Sequence, residues 1–210
     1  MSKALLFIDG EPPKDFPSLS DYSIVACTDG AFRYLKAKKF PFGKLDFVSG
    51  DFDSLAERKE EFQDILFIET PDQNKTDFHK ALEILKSKGI SEVDVYGGSG
   101  GEQDHYLGNL TVAYLFREEL KITFYDEFSK YFFIPAYFEA DHVKGRMISL
   151  VPFPYATKVM TTGLNWPLNG EDLDITYRVG TRNFATENKM TCSYSEGGML
   201  IFIGNESSLK

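Results

Sequence analysis

Residues 93–125 read VDVYGGSGGEQDHYLGNLTVAYLFREELKITFY, and this stretch decides the fold class. Residues 93–96 are a short β-type run ending in Tyr96. Gly97, Gly98, Ser99, Gly100 and Gly101 follow at once. Residues 104–119 then read as a helix, and residues 122–125 as a second short apolar strand. A strand, a glycine turn, a helix and another strand make a βαβ unit, whose strands run parallel.

The same alternation extends upstream. Residues 4–8, 23–27, 45–48 and 65–69 read as strands, and residues 31–39, 55–62 and 77–88 as helices. The last of these is the clearest: Phe78, Ala81, Leu82 and Leu85 share one face at the helical period. Thr76 is placed to cap its start, and Gly89 to stop it. Repeated strand–helix alternation predicts a mostly parallel sheet covered by helices. Downstream of Phe128 the helical period disappears. Residues 146–151, 158–161, 173–179, 190–194 and 199–203 read as short strands, with a turn at Glu196-Gly197-Gly198. The expectation is an α/β parallel-sheet N-terminal domain over residues 1–128, followed by a small all-β sandwich C-terminal domain over residues 129–210.

Composition limits the partners. The chain has 210 residues, 15% of them aromatic, enough to build a substantial core. Its net charge of −9 argues against nucleic acid, because neutralising phosphates needs a basic face. No apolar run approaches the roughly 20 residues that span a bilayer. The start of the chain lacks a signal-peptide pattern, so no membrane partner and a cytoplasmic location are expected. Cys27 and Cys192 lack metal-ligand spacing and are expected to pack as reduced, small hydrophobes.

The chemistry is concentrated in the loops that follow the strands. These loops carry Asp29-Gly30; Gly50-Asp51-Phe52-Asp53-Ser54; Asp72-Gln73 with Thr76-Asp77; and Gly97–Gly101 with Asp104-His105. In an open parallel sheet such loops share the edge at the carboxyl ends of the strands, where these folds bind ligands. Asp51, Asp53 and Asp77 would supply hard oxygen ligands for Mg²⁺, with Asp29 and Asp104 as additions. Crowded carboxylates repel one another, and a divalent cation relieves that cost. The backbone of Gly97, Gly98, Ser99, Gly100 and Gly101, next to a helix start, suits a phosphate group. The glycine spacing matches neither a Walker A loop nor a dinucleotide fingerprint. These features point to a Mg²⁺-dependent transfer of a phosphate-type group from a nucleotide.

This ordered set resembles the thiamine pyrophosphokinase family. Asn109, Gly163-Leu164-Asn165-Trp166-Pro167-Leu168 and Gly180-Thr181-Arg182-Asn183 extend the resemblance to the end of the chain. It implies transfer of pyrophosphate from ATP to the hydroxyl of thiamine, giving thiamine diphosphate and AMP. It also implies a homodimer with the active site at the subunit interface. On that reading Asp51, Asp53 and Asp77 are the catalytic metal ligands. Asp29, Gly30, Ser54, Gly98, Ser99, Gly100, Gly101, Asp104 and His105 serve ATP and its phosphates. Gln73, Asp77, Trp166, Thr181 and Asn183 serve thiamine, with Trp166 stacking on its cationic ring. Asp77 and Asp29 are both candidates for the general base. Two positions depart from the family pattern: Glu102 stands where an arginine is usual, and Arg182 where a serine is usual. Lys75 and Arg33 are the cations available to substitute for the missing arginine. The alternatives are a pyrophosphokinase acting on a pterin alcohol, and a non-catalytic nucleotide- or thiamine-binding protein.

Overall fold

The computed structural model describes residues 2–52, 62 and 65–207. Asp53, Ser54 and nearly all of the helix expected over residues 55–62 lie outside them. The chain divides into two compact units, Met1–Asp126 and Glu127–Lys210.

In the first unit the strands are β1 (Lys3–Phe7), β2 (Ile24–Thr28), β3 (Phe47–Gly50), β4 (Leu66–Glu69), β5 (Glu92–Tyr96) and β6 (Lys121–Tyr125). Among the described residues the α-helices are α1 (Asp29–Ala37), α2 (Asp77–Ser87) and α3 (Gln103–Phe116). All six strands are parallel, in the order β4-β3-β2-β1-β5-β6. The chain builds the sheet outward from β1 in one direction and then returns to place β5 on the other side of β1. Strand order therefore reverses between β1 and β5, and ligands of such sheets bind at that switch point. Leu5, Phe7, Phe32 and Leu35 are fully buried. Each such side chain contributes about 1.5–3 kcal/mol through burial.

In the second unit the strands are β7 (Ser129–Ile134), β8 (Tyr137–Ala140), β9 (Arg146–Thr162), β10 (Asn169–Asp174), β11 (Gly180–Phe184), β12 (Met190–Ser193) and β13 (Gly197–Ser207). All pairings are antiparallel, in the order β7-β13-β9-β12-β8, with β10 and β11 also on β9. Ile148, Val159, Leu173, Met190 and Ile201 belong to one buried core.

Three features differ from the sequence expectations. First, residues 146–151 and 158–161 are parts of one strand, β9. Pro152 and Pro154 lie between those two runs, and proline cannot donate to a ladder. Between the pairs Pro152–Met199 and Ala156–Gly197, however, β9 advances four positions while β13 advances two, so a bulge absorbs the prolines. Second, the strand expected over residues 173–179 ends at Asp174. The Asp174 carboxylate accepts from the Thr176 backbone N–H at 2.8 Å, and this local turn overrides the β propensity of Ile175 and Tyr177. Third, β7, β8 and β11 add strands at positions where no strand is expected.

Candidate active site

The loops after β1, β2, β3 and β5, with the segment leading into α2 and the start of α3, line a cleft of about 570 Å³. Asp29, Gly30, Asp51, Gln73, Asp77, Gly98, Gly100, Asp104 and His105 all face it. A second cleft, of about 550 Å³, lies between α2 and α3. Lys86 is paired with Glu119 there, His79 faces Glu83, and the cleft lacks the convergent carboxylates. The cleft at the sheet edge is therefore the candidate site.

Asp29 opens α1 and is buried. One of its oxygens accepts from the Gly30 N–H at 2.7 Å and the other from the Phe52 N–H at 3.2 Å. Phe52 has a φ of 57°, a conformation unusual for a residue with a side chain, and the carboxylate helps to hold it. Gly50 lies against the same carboxylate, leaving no room for a side chain there. Burial pushes the Asp29 carboxyl above its ordinary pKa. The charges of Asp77 and Asp51 push the same way, and the two N–H bonds oppose them. Asp51, at the end of β3, is exposed.

Asp77 is the first residue of α2. Thr76 caps that helix, its side chain accepting from the His79 N–H at 3.2 Å. Asp77 Oδ1 lies 2.7 Å from Nζ of Lys80, one turn on along the same face. Lys80 is buried and also donates to the Thr70 carbonyl at 2.8 Å.

The glycine loop has the left-handed backbone that glycine permits: φ is 79° at Gly97, 77° at Gly100 and 69° at Gly101. Asn109 on α3 donates to the Gly98 carbonyl at 3.1 Å, so it braces the loop. His105 faces Glu102 at 3.5 Å, and ligand atoms of Glu102, Asp104 and His105 lie within 4.8 Å of one another on the exposed surface.

The two cations considered as substitutes for the missing arginine both face carboxylates. Lys75 is 2.7 Å from Glu83, and Arg33 is 3.5 Å from Asp9. His79 is partly exposed and packs edge-on against Phe116 at 5.2 Å.

In the second unit, Trp166 is 61% exposed and meets Phe184 edge-on at 5.5 Å. Asn183 clamps its backbone, accepting from the Trp166 N–H at 3.2 Å and donating to its carbonyl at 2.8 Å. Thr181 is exposed nearby in sequence. Sequence reasoning missed Asp9-Gly10 and Lys80, all of which line the first unit's cleft. Asp9-Gly10 follows β1 just as Asp29-Gly30 follows β2, a repeated signal that would have found it.

Two family models match the chain. The model for the thiamin pyrophosphokinase catalytic domain matches residues 17–124, and that for the thiamin pyrophosphokinase vitamin B1 binding domain matches residues 136–199. The chain is 24% identical over 212 residues to a thiamine pyrophosphokinase of Bacillus subtilis (strain 168), covering 95% of this chain and 97% of that protein. It is 26% identical over 228 residues to thiamine pyrophosphokinase 3 of Oryza sativa subsp. japonica, covering 95% and 85%. Among solved structures, the thiamin pyrophosphokinase from Candida albicans has a similar fold, with a TM-score of 0.83, 14% identity and coverage of 98% and 89%.

Proposed function

The chain belongs to the thiamin pyrophosphokinase family, and we propose that its first unit performs the reaction on the carboxylates of the cleft: pyrophosphate passes from ATP to the hydroxyl of thiamine, giving thiamine diphosphate and AMP. The observation that carries this reading is the meeting of Asp29, Asp51 and Asp77 with the glycine loop in one cleft at the switch point of the sheet.

The donor set fits a divalent cation. Burial first, and then the charges of Asp77 and Asp51, raise the Asp29 carboxyl, so several carboxylates act on one another at this edge of the sheet. Asp51 and Asp77 would hold Mg²⁺, together with Asp53, which lies outside the described residues. When bound, the ion supplies charge neutralisation at the phosphates.

The remaining roles fall to the chain itself. The backbone of Gly97, Gly98, Ser99, Gly100 and Gly101 receives phosphate oxygens, with Gly30, Ser54, Asp104 and His105 around the nucleotide. Asp29 keeps its carboxylate on the N–H groups of Gly30 and Phe52, and so sets the turn that presents Asp51. Gln73 contacts thiamine. In the second unit Trp166 offers its exposed indole face to thiamine's cationic ring, with Thr181 as a further contact and Asn183 holding the tryptophan backbone. Transfer of this kind gains mainly from positioning and electrostatics, which is what such a frame supplies. The reading includes a homodimer and a cytoplasmic location. No described helix is long and apolar enough to cross a membrane.

The test is AMP release from ATP and Mg²⁺, with and without thiamine, for the wild type and Asp77→Asn. Thiamine-dependent AMP that falls at least about a hundredfold in the variant is expected. Release that ignores thiamine, or an unaffected variant, would sink the assignment.

A further inference from the structure

Lys80 lines the cleft but has no part in the reaction as proposed. Its side chain is only 7% exposed, and lysine is seldom buried to that degree unless it is paired. The ammonium has two partners: Asp77 Oδ1 at 2.7 Å and the Thr70 carbonyl at 2.8 Å. Thr70 follows β4, and its own N–H donates to the Gly50 carbonyl at 2.9 Å, one residue before Asp51. One run of contacts therefore joins the loop that carries Asp51 to the helix start that carries Asp77. Lys75 and Arg33, the other long cations lining the cleft, face Glu83 and Asp9.

We propose that Lys80 is a positioning residue: its buried ammonium holds Oδ1 of Asp77 and ties that carboxylate to the β3–β4 edge, so that Asp77 meets a divalent cation in one orientation. The inference rests on the reading of Asp77 as a metal ligand. Lys80 itself touches neither metal nor substrate. An ammonium on a ligand carboxylate has two opposed effects. It orients the ligand, which favours turnover, and it competes with the metal for the same charge, which weakens binding in the free protein. A lysine that served only packing would not produce that pair of effects.

The experiment measures Mn²⁺ binding to the nucleotide-free protein by calorimetry, alongside thiamine-dependent AMP release. It uses Lys80→Met, Lys80→Gln, Asp77→Asn and the Lys80→Met/Asp77→Asn double variant. Lys80→Gln keeps a donor for the Thr70 carbonyl while removing the charge, so it covers the case in which Lys80→Met does not fold. Both single lysine variants are expected to bind Mn²⁺ severalfold more tightly than the wild type, while kcat falls roughly 10–100-fold. The double variant is expected to bind Mn²⁺ no differently from Asp77→Asn alone. Wild-type Mn²⁺ affinity in the lysine variants, or a lysine effect that persists in the Asp77→Asn background, would overturn the proposal and leave the ligand reading standing. Wild-type Mn²⁺ affinity in Asp77→Asn would remove the ligand reading, and the proposal with it.

Discussion

Asp29 and Asp77 are both the first residue of a helix at the same edge of the sheet, yet their surroundings give them different work. Asp29 is buried and each oxygen takes a backbone N–H, so it acts on the chain. Asp77 has a side chain 42% exposed to the cleft and an ammonium on one oxygen, so it is held in place but accessible. Nothing in the two local sequences, Thr28-Asp29-Gly30 and Thr76-Asp77-Phe78, separates these roles. The burial of Asp29 has a pH consequence. Its carboxyl is raised above the ordinary value of 3.8, so the folded state favours the protonated form. Its contribution to stability is fully present below that ordinary value and is lost as pH rises through the raised one. Thermal unfolding of the metal-free wild type and Asp29→Asn from pH 3 to pH 7 should show the wild type losing ground to the variant as pH rises. A difference independent of pH would contradict this account.

Helix α2 matters as an element because its start delivers Asp77 and its first turn delivers Lys80. The Thr76 side chain fixes that start by accepting from the His79 N–H. Thr76→Ala should cost about 1 kcal/mol of stability in a denaturant titration, with Thr76→Ser close to wild type. Because the cap also sets where α2 begins, AMP release should fall in the alanine variant and recover in the serine one; equal activity in both would detach the cap from the site. This helix was legible because its apolar period and cap are local patterns. Strand β9 was not. Its prolines fall inside the strand, and pairings with β13 and β10 carry it past them. The turn after Asp174 was missed for a related reason: a carboxylate–backbone bond competes with β propensity and leaves no periodic trace.

For the whole molecule, the apolar surface that stays exposed is informative. On the second unit Ile175 is 51%, Tyr177 88% and Trp166 61% exposed. A second copy of the chain is the proposed cover. Sedimentation at micromolar concentration should then give twice the 23.8 kDa of one chain, and a monomer under those conditions would exclude the dimer. Cys27 and Cys192 are free and buried, consistent with their expected packing role. The sequence by itself determined the alternation of strands and helices, the change to short strands after Phe128, and the acids and glycines placed after successive strands. All of these are carried by neighbours a few positions apart, and together they sufficed to indicate the family. Only the tertiary structure decided that Asp29 braces while Asp77 is presented, that Asp9 and Lys80 enter the cleft, and that Lys75 and Arg33 face Glu83 and Asp9. Those outcomes depend on which groups meet across the sheet edge and how much water they lose there, and neither is written in local spacing.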